Sequence, residues 1–489
     1  MPSQFLAVDL GAGSGRVIVG EIGDRIRLEE IHRFPNSPIQ IDKHQHWDIF
    51  KLFEEIKQGL TKTAAKGYSN LSGIGVDTWG VDFGLLDEND HLVSNPVCYR
   101  DARTNGMMEA VFAIMPKKAI FEHTGIQFMQ FNTLFQLFSM VKSENSWLKK
   151  AGQLLFMPDL INFLLTGRKC SEYTIASTSQ LLNARSRNWE RTIFEQLEMP
   201  ISIMSEIVQP GTMIGTLFED IQKETGFNAA DVIATAAHDT ASAVAAVPTK
   251  AGSWAFLSSG TWSLIGTEIE RPIISDTTLD HKFTNEGGVG QKIRLLRNVA
   301  GMWLLESCIK SWEQQNISCS YDELIQLAQQ ADPFQSIINP DDDLFLNPPD
   351  MPAAIRQYCE QHGLKALQER GAVVRSIFES LALKYALIIE SMNNILDVPL
   401  CVLHVVGGGS QNELLNQFTA NACGLPVVAG PVEATAVGNI MIQAISKQCL
   451  HSIQEGRELV AGSFPLKQYE PENETQWKEV FESVKDRLK

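Results

Sequence analysis

The chain has no C-x-x-C pair, no uninterrupted apolar run of the roughly 18 residues a membrane span requires, no basic leader and no excess of positive charge. Each absence removes a class of function. The eight cysteines (98, 170, 308, 319, 359, 401, 423 and 449) are scattered, without the close spacing of zinc sites or dense disulfide frameworks. Free thiols are expected. With the N-terminus MPSQFLAVDL running straight into a strand-like stretch, they fit a cytoplasmic enzyme. The formal charge is -17, from 41 Lys and Arg against 58 Asp and Glu. Such a surface repels phosphate backbones and argues against nucleic-acid binding. It does not exclude small anions, which backbone N–H groups bind whatever the net charge. Two phosphate motifs are missing as well: no G-x-x-x-x-G-K-[ST] occurs, and Arg16 replaces the third glycine of G-x-G-x-x-G.

What is present is a long chain of ordinary globular composition, 489 residues with 44% hydrophobic and 20% charged residues, 35 Gly and 20 Pro. That length exceeds what one hydrophobic core spans, so two domains are expected. The Pro- and Gly-bearing stretch AVPTKAG at 246–252 is the natural division, giving domains 1–246 and 247–489.

Residues 5–22 and 253–269 both read as strand, small-residue turn, strand, and this echo suggests a duplicated core. The segment 73–93 has a similar pattern. Helices are predicted at 131–142, at 157–167 with Gly167 as its stop, and at 433–445; a surface helix is expected beyond about 470. The segment 401–430 reads as strand, glycine turn, helix, strand.

Four places carry chemistry. DLGAGSGR (9–16) lets backbone N–H groups approach an anion, and Asp9 can face a metal ion. The same loop resembles a methyltransferase cofactor loop, but the RVIVGEI that follows is strand-like rather than helical. A purely structural hairpin is the other reading. SSGTWS (258–263) is a second small-residue turn. VVGGGSQNELLNQF (405–418) puts three glycines between a strand and a helix, more than a tight turn needs, which favours a ligand-contacting surface. In AAHDTASAV, Asp239 stands about where a helix N-cap belongs, either as a cap or as a carboxylate kept ionised to accept a proton. Trp79, Arg100, Asp101 and Arg103 belong to a solvated turn or to a polar rim around a substrate.

Taken in order, VDLGAGSGR, GVDTWGVDF, PVCYRDARTNG, AAHDTASAV, LSSGTWSL, TNEGG, HVVGGGSQNELLN and AGPVEATAVGNI resemble the FGGY carbohydrate kinases, from about residue 5 to residue 445. The resemblance implies an α/β fold of two ribonuclease H-like (actin/hexokinase-type) domains flanking a catalytic cleft. It implies transfer of the ATP γ-phosphoryl group to the 1-hydroxyl of L-rhamnulose, with Mg²⁺, in a cytoplasmic monomer or homodimer with no membrane or nucleic-acid partner. Another ketose, such as L-fuculose or L-xylulose, is the alternative substrate.

Carried over residue by residue, Asp239 matches the catalytic base, and His238, Thr240, Gly80 and Asn298 match sugar contacts. Ala12, Gly13, Ser14, Gly15, Arg16 and Thr261 match phosphate contacts, Gly408 an adenosine contact, and Asp9 the residue facing Mg²⁺ through water. Glu306 departs from the pattern, which has a Gln there; a carboxylate cannot donate that amide hydrogen bond and repels phosphate. Trp79-Gly80 stands where glycerol-specific relatives carry an Arg-Glu pair, a change that suits a larger deoxy sugar.

Overall fold

The computed structural model describes residues 2–250, 252–318 and 320–489; Met1, Ala251 and Cys319 lie outside the described residues, and with them one of the eight cysteines and one residue of the 246–252 stretch. The chain forms two compact units, each mixing strands and helices. The first comprises Met1–Pro248, Glu268–Leu295 and Ala434–Phe464; the second comprises Thr249–Thr267, Leu296–Glu433 and Pro465–Lys489.

The first unit is built on β1 (Ser3–Leu10), β2 (Ser14–Ile22), β3 (Ile26–Pro35), β4 (Gly73–Thr78), β5 (Met213–Thr216) and β6 (Asp231–Ile233), in the sheet order β5-β6-β4-β1-β2-β3. The β1/β2 hairpin is antiparallel, and β4 adds to β1 in parallel. Phe5 to Val8 and Leu10 are fully buried, as expected of a central strand covered on both faces. The helix Ile49–Ala65, capped by Asp48 accepting from the Lys51 N–H, packs closely enough that a Cβ on Gly59 would lie 2.4 Å from Val17. The late helix Ala434–Ser446 belongs to this unit. Gln443 Nε2 donates to the Leu6 carbonyl (2.9 Å), and Asn439 Nδ2 donates to the Gly75 carbonyl (3.2 Å). Gly438 meets the helix Asp239–Ala245 so closely that a Cβ would sit 1.8 Å from the Ser242 carbonyl oxygen.

A second sheet has seven strands. Here β7 (Ala255–Ser259), β8 (Trp262–Ile269), β9 (Ile293–Ala300), β10 (Leu403–Val406), β11 (Val427–Ala429) and β12 (Lys467–Tyr469) run in the order β9-β8-β7-β10-β11-β12, with the edge strand Thr284–Gly287 beside β9. Thr284–Gly287 and β9 as far as Leu295 belong to the first unit. An antiparallel hairpin again takes a parallel neighbour, then a second parallel strand and an antiparallel edge. Apart from the added edge strand Thr284–Gly287, this repeats the order β3-β2-β1-β4-β6-β5, so the echo between residues 5–22 and 253–269 is an echo of topology. The helix Arg370–Asn393 forms the buried spine of the second unit, and its Lys384 donates to the Leu488 carbonyl and to Asn339 Oδ1.

The predicted helices appear at Thr133–Lys142, Met157–Thr166 and Ala434–Ser446, and the surface helix at Glu474–Val484. Gly167 ends its helix at φ +78°. The segment 73–93 behaves differently: after β4 the chain leaves the sheet, and Phe83–Leu86 pairs instead with Gln153–Phe156. Val81 makes the exit at φ +67°, a left-handed conformation unusual for a β-branched residue. It is held by the Thr178 hydroxyl, which accepts from its N–H, and by the Thr133 hydroxyl, which donates to its carbonyl. The seven described cysteines are free thiols, and no helix of the described residues is long and apolar enough to cross a membrane.

Candidate active site

In the first unit β4 and the segment 234–238 run side by side. The Thr78 N–H donates to the Ala237 carbonyl (2.9 Å), which brings Trp79-Gly80 beside His238-Asp239. The helix Asp239–Ala245 starts one residue earlier than the sequence suggests: His238 is the N-cap and Asp239 the first helical residue, with Oδ1 accepting from the Thr240 N–H (2.5 Å) and hydroxyl (3.1 Å). The capping account of Asp239 therefore fails by one position. The carboxylate sits in the field of a helix N-terminus, with 32% of its side chain exposed. Burial pushes its pKa up; His238 and the Thr240 donors offset part of the rise, and the negative charge of Asp9 adds to it.

His238 Nε2 lies 3.4 Å from Asp239 Oδ1. Gly80 opens onto the same nitrogen: a Cβ there would be 3.5 Å from His238 Nε2 and 3.3 Å from Thr178 Oγ1. Two residues the sequence reading missed fix this segment. Glu172, fully buried, accepts through Oε2 from the N–H groups of Thr174, Ile175 and Ala237, and the Thr174 hydroxyl accepts from the His238 N–H. Burial pushes the Glu172 carboxyl up to about 7 despite those donors.

Trp79 is no rim residue. It is 6% exposed, its ring centroid 4.4 Å from that of Trp47, and both indole N–H groups donate to Asp82 Oδ2. The YRDART turn is bonded rather than solvated: Asp101 accepts from the backbone of Gln45 and Arg103, and Arg103 Nη2 donates to Gln136 Oε1. A cavity of about 310 Å³ lined by His44, Arg103, Met107, Lys142 and Trp147 lies in the same unit; none of Gly80, His238 and Asp239 lines it.

Asp9 and Asp77 are register partners on β1 and β4. Asp9 forms an ion pair with Arg16 across the hairpin. Asp77 is fully buried; Oδ2 accepts from Asn439 Nδ2 (2.5 Å) and Oδ1 has no hydrogen-bond partner. Burial, and then the charge of Asp9, holds its carboxyl well above the usual range. The turn itself is braced by Asn36, which donates to the carbonyls of Gly11 and Gly13. Its glycines differ in purpose. A Cβ on Gly15 would lie 2.3 Å from the Phe34 ring, whereas one on Gly13 would meet nothing.

In the second unit Thr261 lies in the turn between β7 and β8, its hydroxyl donating to Glu306 Oε2 (3.3 Å). The turn is fastened by the Met302 and Trp303 N–H groups, which donate to the carbonyls of Gly260 and Thr261. Glu306, where the resemblance expects Gln, thus stands against the hairpin. Asn298 is half-buried on β9. Of the three glycines after β10, Gly407 has φ +84° and Gly409 packs on Ser259, a Cβ there falling 2.0 Å from its Oγ. Only Gly408 faces open space, so packing accounts for two of the three glycines.

Residues 4–246 match the N-terminal domain, and residues 255–446 the C-terminal domain, of the FGGY family of carbohydrate kinases. The chain is 48% identical over 482 residues to a protein named rhamnulokinase from Bacteroides thetaiotaomicron, covering 98% of each. It is 41% identical to one of the same name from Oceanobacillus iheyensis, covering 95% of this chain and 97% of that one. Among solved structures it resembles ligand-bound xylulose kinase from Lactobacillus acidophilus (TM-score 0.81, 14% identity, 99% of this chain and 98% of that one). It also resembles glycerol kinase from Plasmodium falciparum with ADP (TM-score 0.79, 14% identity, 100% and 99%). These structural likenesses show the fold, two α/β domains of the actin/hexokinase type.

Proposed function

Because this chain belongs to the FGGY family of carbohydrate kinases, we propose that it transfers the γ-phosphoryl group of ATP to the 1-hydroxyl of L-rhamnulose, giving L-rhamnulose 1-phosphate and ADP, in L-rhamnose catabolism. The observation that carries the reading is the Asp239 carboxylate: partly open, held at the head of a buried helix, raised in pKa, with the His238 imidazole and the Gly80 opening beside it. The relatives named rhamnulokinase support the choice of sugar, since they match over nearly the whole length of the chain.

Phosphoryl transfer passes through a loose transition state that needs positioning and charge neutralisation more than covalent help. In this reading Asp239 orients the sugar hydroxyl and takes its proton. A carboxylate of raised pKa is a stronger base, better matched to that task near neutral pH. His238, Thr240, Gly80 and Asn298 are assigned to the sugar; Ala12, Gly13, Ser14, Gly15, Arg16 and Thr261 to the nucleotide phosphates; and Gly408 to the adenosine. Residues 1–246 are assigned the first hairpin and the sugar contacts other than Asn298, and residues 247–489 the second hairpin, Asn298 and the adenosine contact.

The oxygens of Asp9 and Asp77, including the unpartnered Asp77 Oδ1, suit a hard divalent cation. No group of three or more His, Cys, Asp or Glu side chains among the described residues is arranged to hold a metal by itself, so Mg²⁺ in this reading would be retained largely by water and phosphate. When bound, Mg²⁺ would neutralise charge on the phosphates, and Asp9 would face it through water. A cytoplasmic monomer or homodimer completes the reading.

The test is ADP release with L-rhamnulose, L-fuculose, L-xylulose and glycerol. The expected result is a kcat/KM for L-rhamnulose at least about tenfold above the others, the size of effect that a differently placed hydroxyl or methyl produces. A higher value for another ketose replaces the substrate; no sugar-stimulated ADP release with any of the four overturns the reading.

A further inference from the structure

Behind His238 lies a buried ion pair that phosphoryl transfer does not itself require. Glu286, on the strand Thr284–Gly287, is 5% exposed, and Arg294, at the start of β9, is 0% exposed. Arg294 Nε donates to the Gly287 carbonyl (2.8 Å), and Gly287 is itself seated by the Ser177 hydroxyl, which accepts from its N–H (2.8 Å). Arg294 Nη2 lies 3.1 Å from Glu286 Oε2 and 3.2 Å from His238 Nδ1. Glu286 Oε2 is 3.4 Å from the same imidazole nitrogen. One buried charge of each sign therefore faces His238 Nδ1 from the side opposite Asp239.

A guanidinium has donors and no acceptor and stays charged under all ordinary conditions. Its approach to Nδ1 requires that nitrogen to be the acceptor, which puts the imidazole proton on Nε2. That is the nitrogen facing Asp239 Oδ1 and the Gly80 opening. Without the guanidinium, Glu286 would be the nearer charge to Nδ1 and would draw the proton there, either inverting the tautomer or charging the ring. Burying an ion pair where an apolar pair would serve stability as well points to a use beyond packing.

We propose that Arg294, steadied by Glu286, is a positioning residue that holds His238 in its Nε2–H form, so that the imidazole presents a donor beside Asp239. The inference rests on the reading of His238 and Asp239 as sugar-facing groups. Its central element, the tautomer, can be observed without any substrate.

The first measurement is ¹⁵N NMR of the histidine rings in the full-length protein, with the His238 signals assigned by their absence in His238→Gln. An unprotonated Nδ1 and a protonated Nε2 are expected in the wild type; a protonated Nδ1 overturns the proposal whether or not L-rhamnulose is the substrate. The second is a double-mutant cycle with Arg294→Met and His238→Gln, read as kcat/KM for whichever sugar the wild type phosphorylates best. Arg294→Met is expected to lower it by about 10- to 100-fold, with the KM for ATP within about twofold of wild type, and to have little further effect in the His238→Gln background. Full additivity overturns the proposal, because a general structural loss would not need His238. If Arg294→Met alone does not fold, Arg294→Met with Glu286→Gln removes both charges together and enters the same cycle. If no sugar is phosphorylated, the proposed function fails while the NMR result still decides the tautomer.

Discussion

Replacing Gly80 by alanine adds one methyl group at a position where the structure says what that methyl meets. It would lie 3.3 Å from the Thr178 hydroxyl oxygen and 3.5 Å from His238 Nε2. The Gly80 backbone is not in the left-handed region, so the substitution brings no conformational strain. The Thr178 contact is tight enough to need a shift of a few tenths of an ångström, while the lost freedom of the unfolded chain favours alanine by about 0.4–1 kcal/mol. Stability should therefore hardly change, with a melting temperature within a few degrees of wild type. The catalytic consequence should be larger. A methyl in front of Nε2 covers the imidazole donor, and a donor left without its partner costs about 1–3 kcal/mol. On the scale of about 1.4 kcal/mol per tenfold, that is a loss of roughly 5- to 150-fold in kcat/KM for the sugar. A coupled ADP-release assay with sugar and ATP varied in turn reads it: the loss belongs to the sugar, with the KM for ATP unchanged. Wild-type kcat/KM in a folded Gly80→Ala protein would refute the placement of the sugar beside His238, as would an equal loss of ATP affinity.

Three further outcomes are expected. Asp239→Asn should lower kcat by about 10²- to 10⁴-fold with ATP binding, measured by calorimetry, nearly intact; in the wild type the ionised form is the base and burial raises its pKa, so activity should be lost with falling pH at a point above the ordinary aspartate value of 3.8. Glu172 is held near 7 against an unfolded value of 4.5, so the folded protein binds the extra proton and stability falls as pH rises through that window, by up to about 3 kcal/mol; Glu172→Gln should flatten the slope of melting temperature between pH 5 and 7, and an unchanged slope would disprove the assignment. Glu306→Gln removes a negative charge bonded to Thr261, and the KM for ATP should drop by about two- to fivefold; an increase would mean that the carboxylate helps the nucleotide.

What could be read in the sequence was whatever local chemistry decides. The small-residue turns at 9–16 and 258–263 appear as hairpins because glycine and serine between β-branched runs specify a turn within a few residues. The Asp239 helix was visible too, but its first residue was not, since His238 and Asp239 can both occupy the cap until the Ala241 and Ser242 N–H groups are seen to donate to the His238 carbonyl. Three glycines at 407–409 looked like a ligand surface; two of them answer instead to a left-handed turn and to Ser259, a neighbour about 150 positions away. Glu286 and Arg294 reach His238 only because a distant segment returns to the first unit, and nothing local to TNEGG or IRLL announces it. The exit at Val81 was hidden for a similar reason, because its conformation is imposed by Thr133 and Thr178.

The first unit is closed by a helix that the ribosome makes late. Gly438 seats against the Asp239 helix, Asn439 satisfies Asp77, and Gln443 reaches the β1 backbone, so part of that unit has no covering until residues 434–446 emerge. At ordinary elongation rates, roughly 10–40 s separate the synthesis of Pro248 from that of Ala434. During that interval the helix Asp239–Ala245 and the inner face of β4 wait with uncovered apolar surface and with the Asp77 carboxylate lacking its Asn439 partner. Acquisition of the proposed catalytic group's final surroundings is thus a late event, delayed until residues 434–446 have been made, and a slowed ribosome upstream of residue 434 would lengthen the period in which this surface stands uncovered.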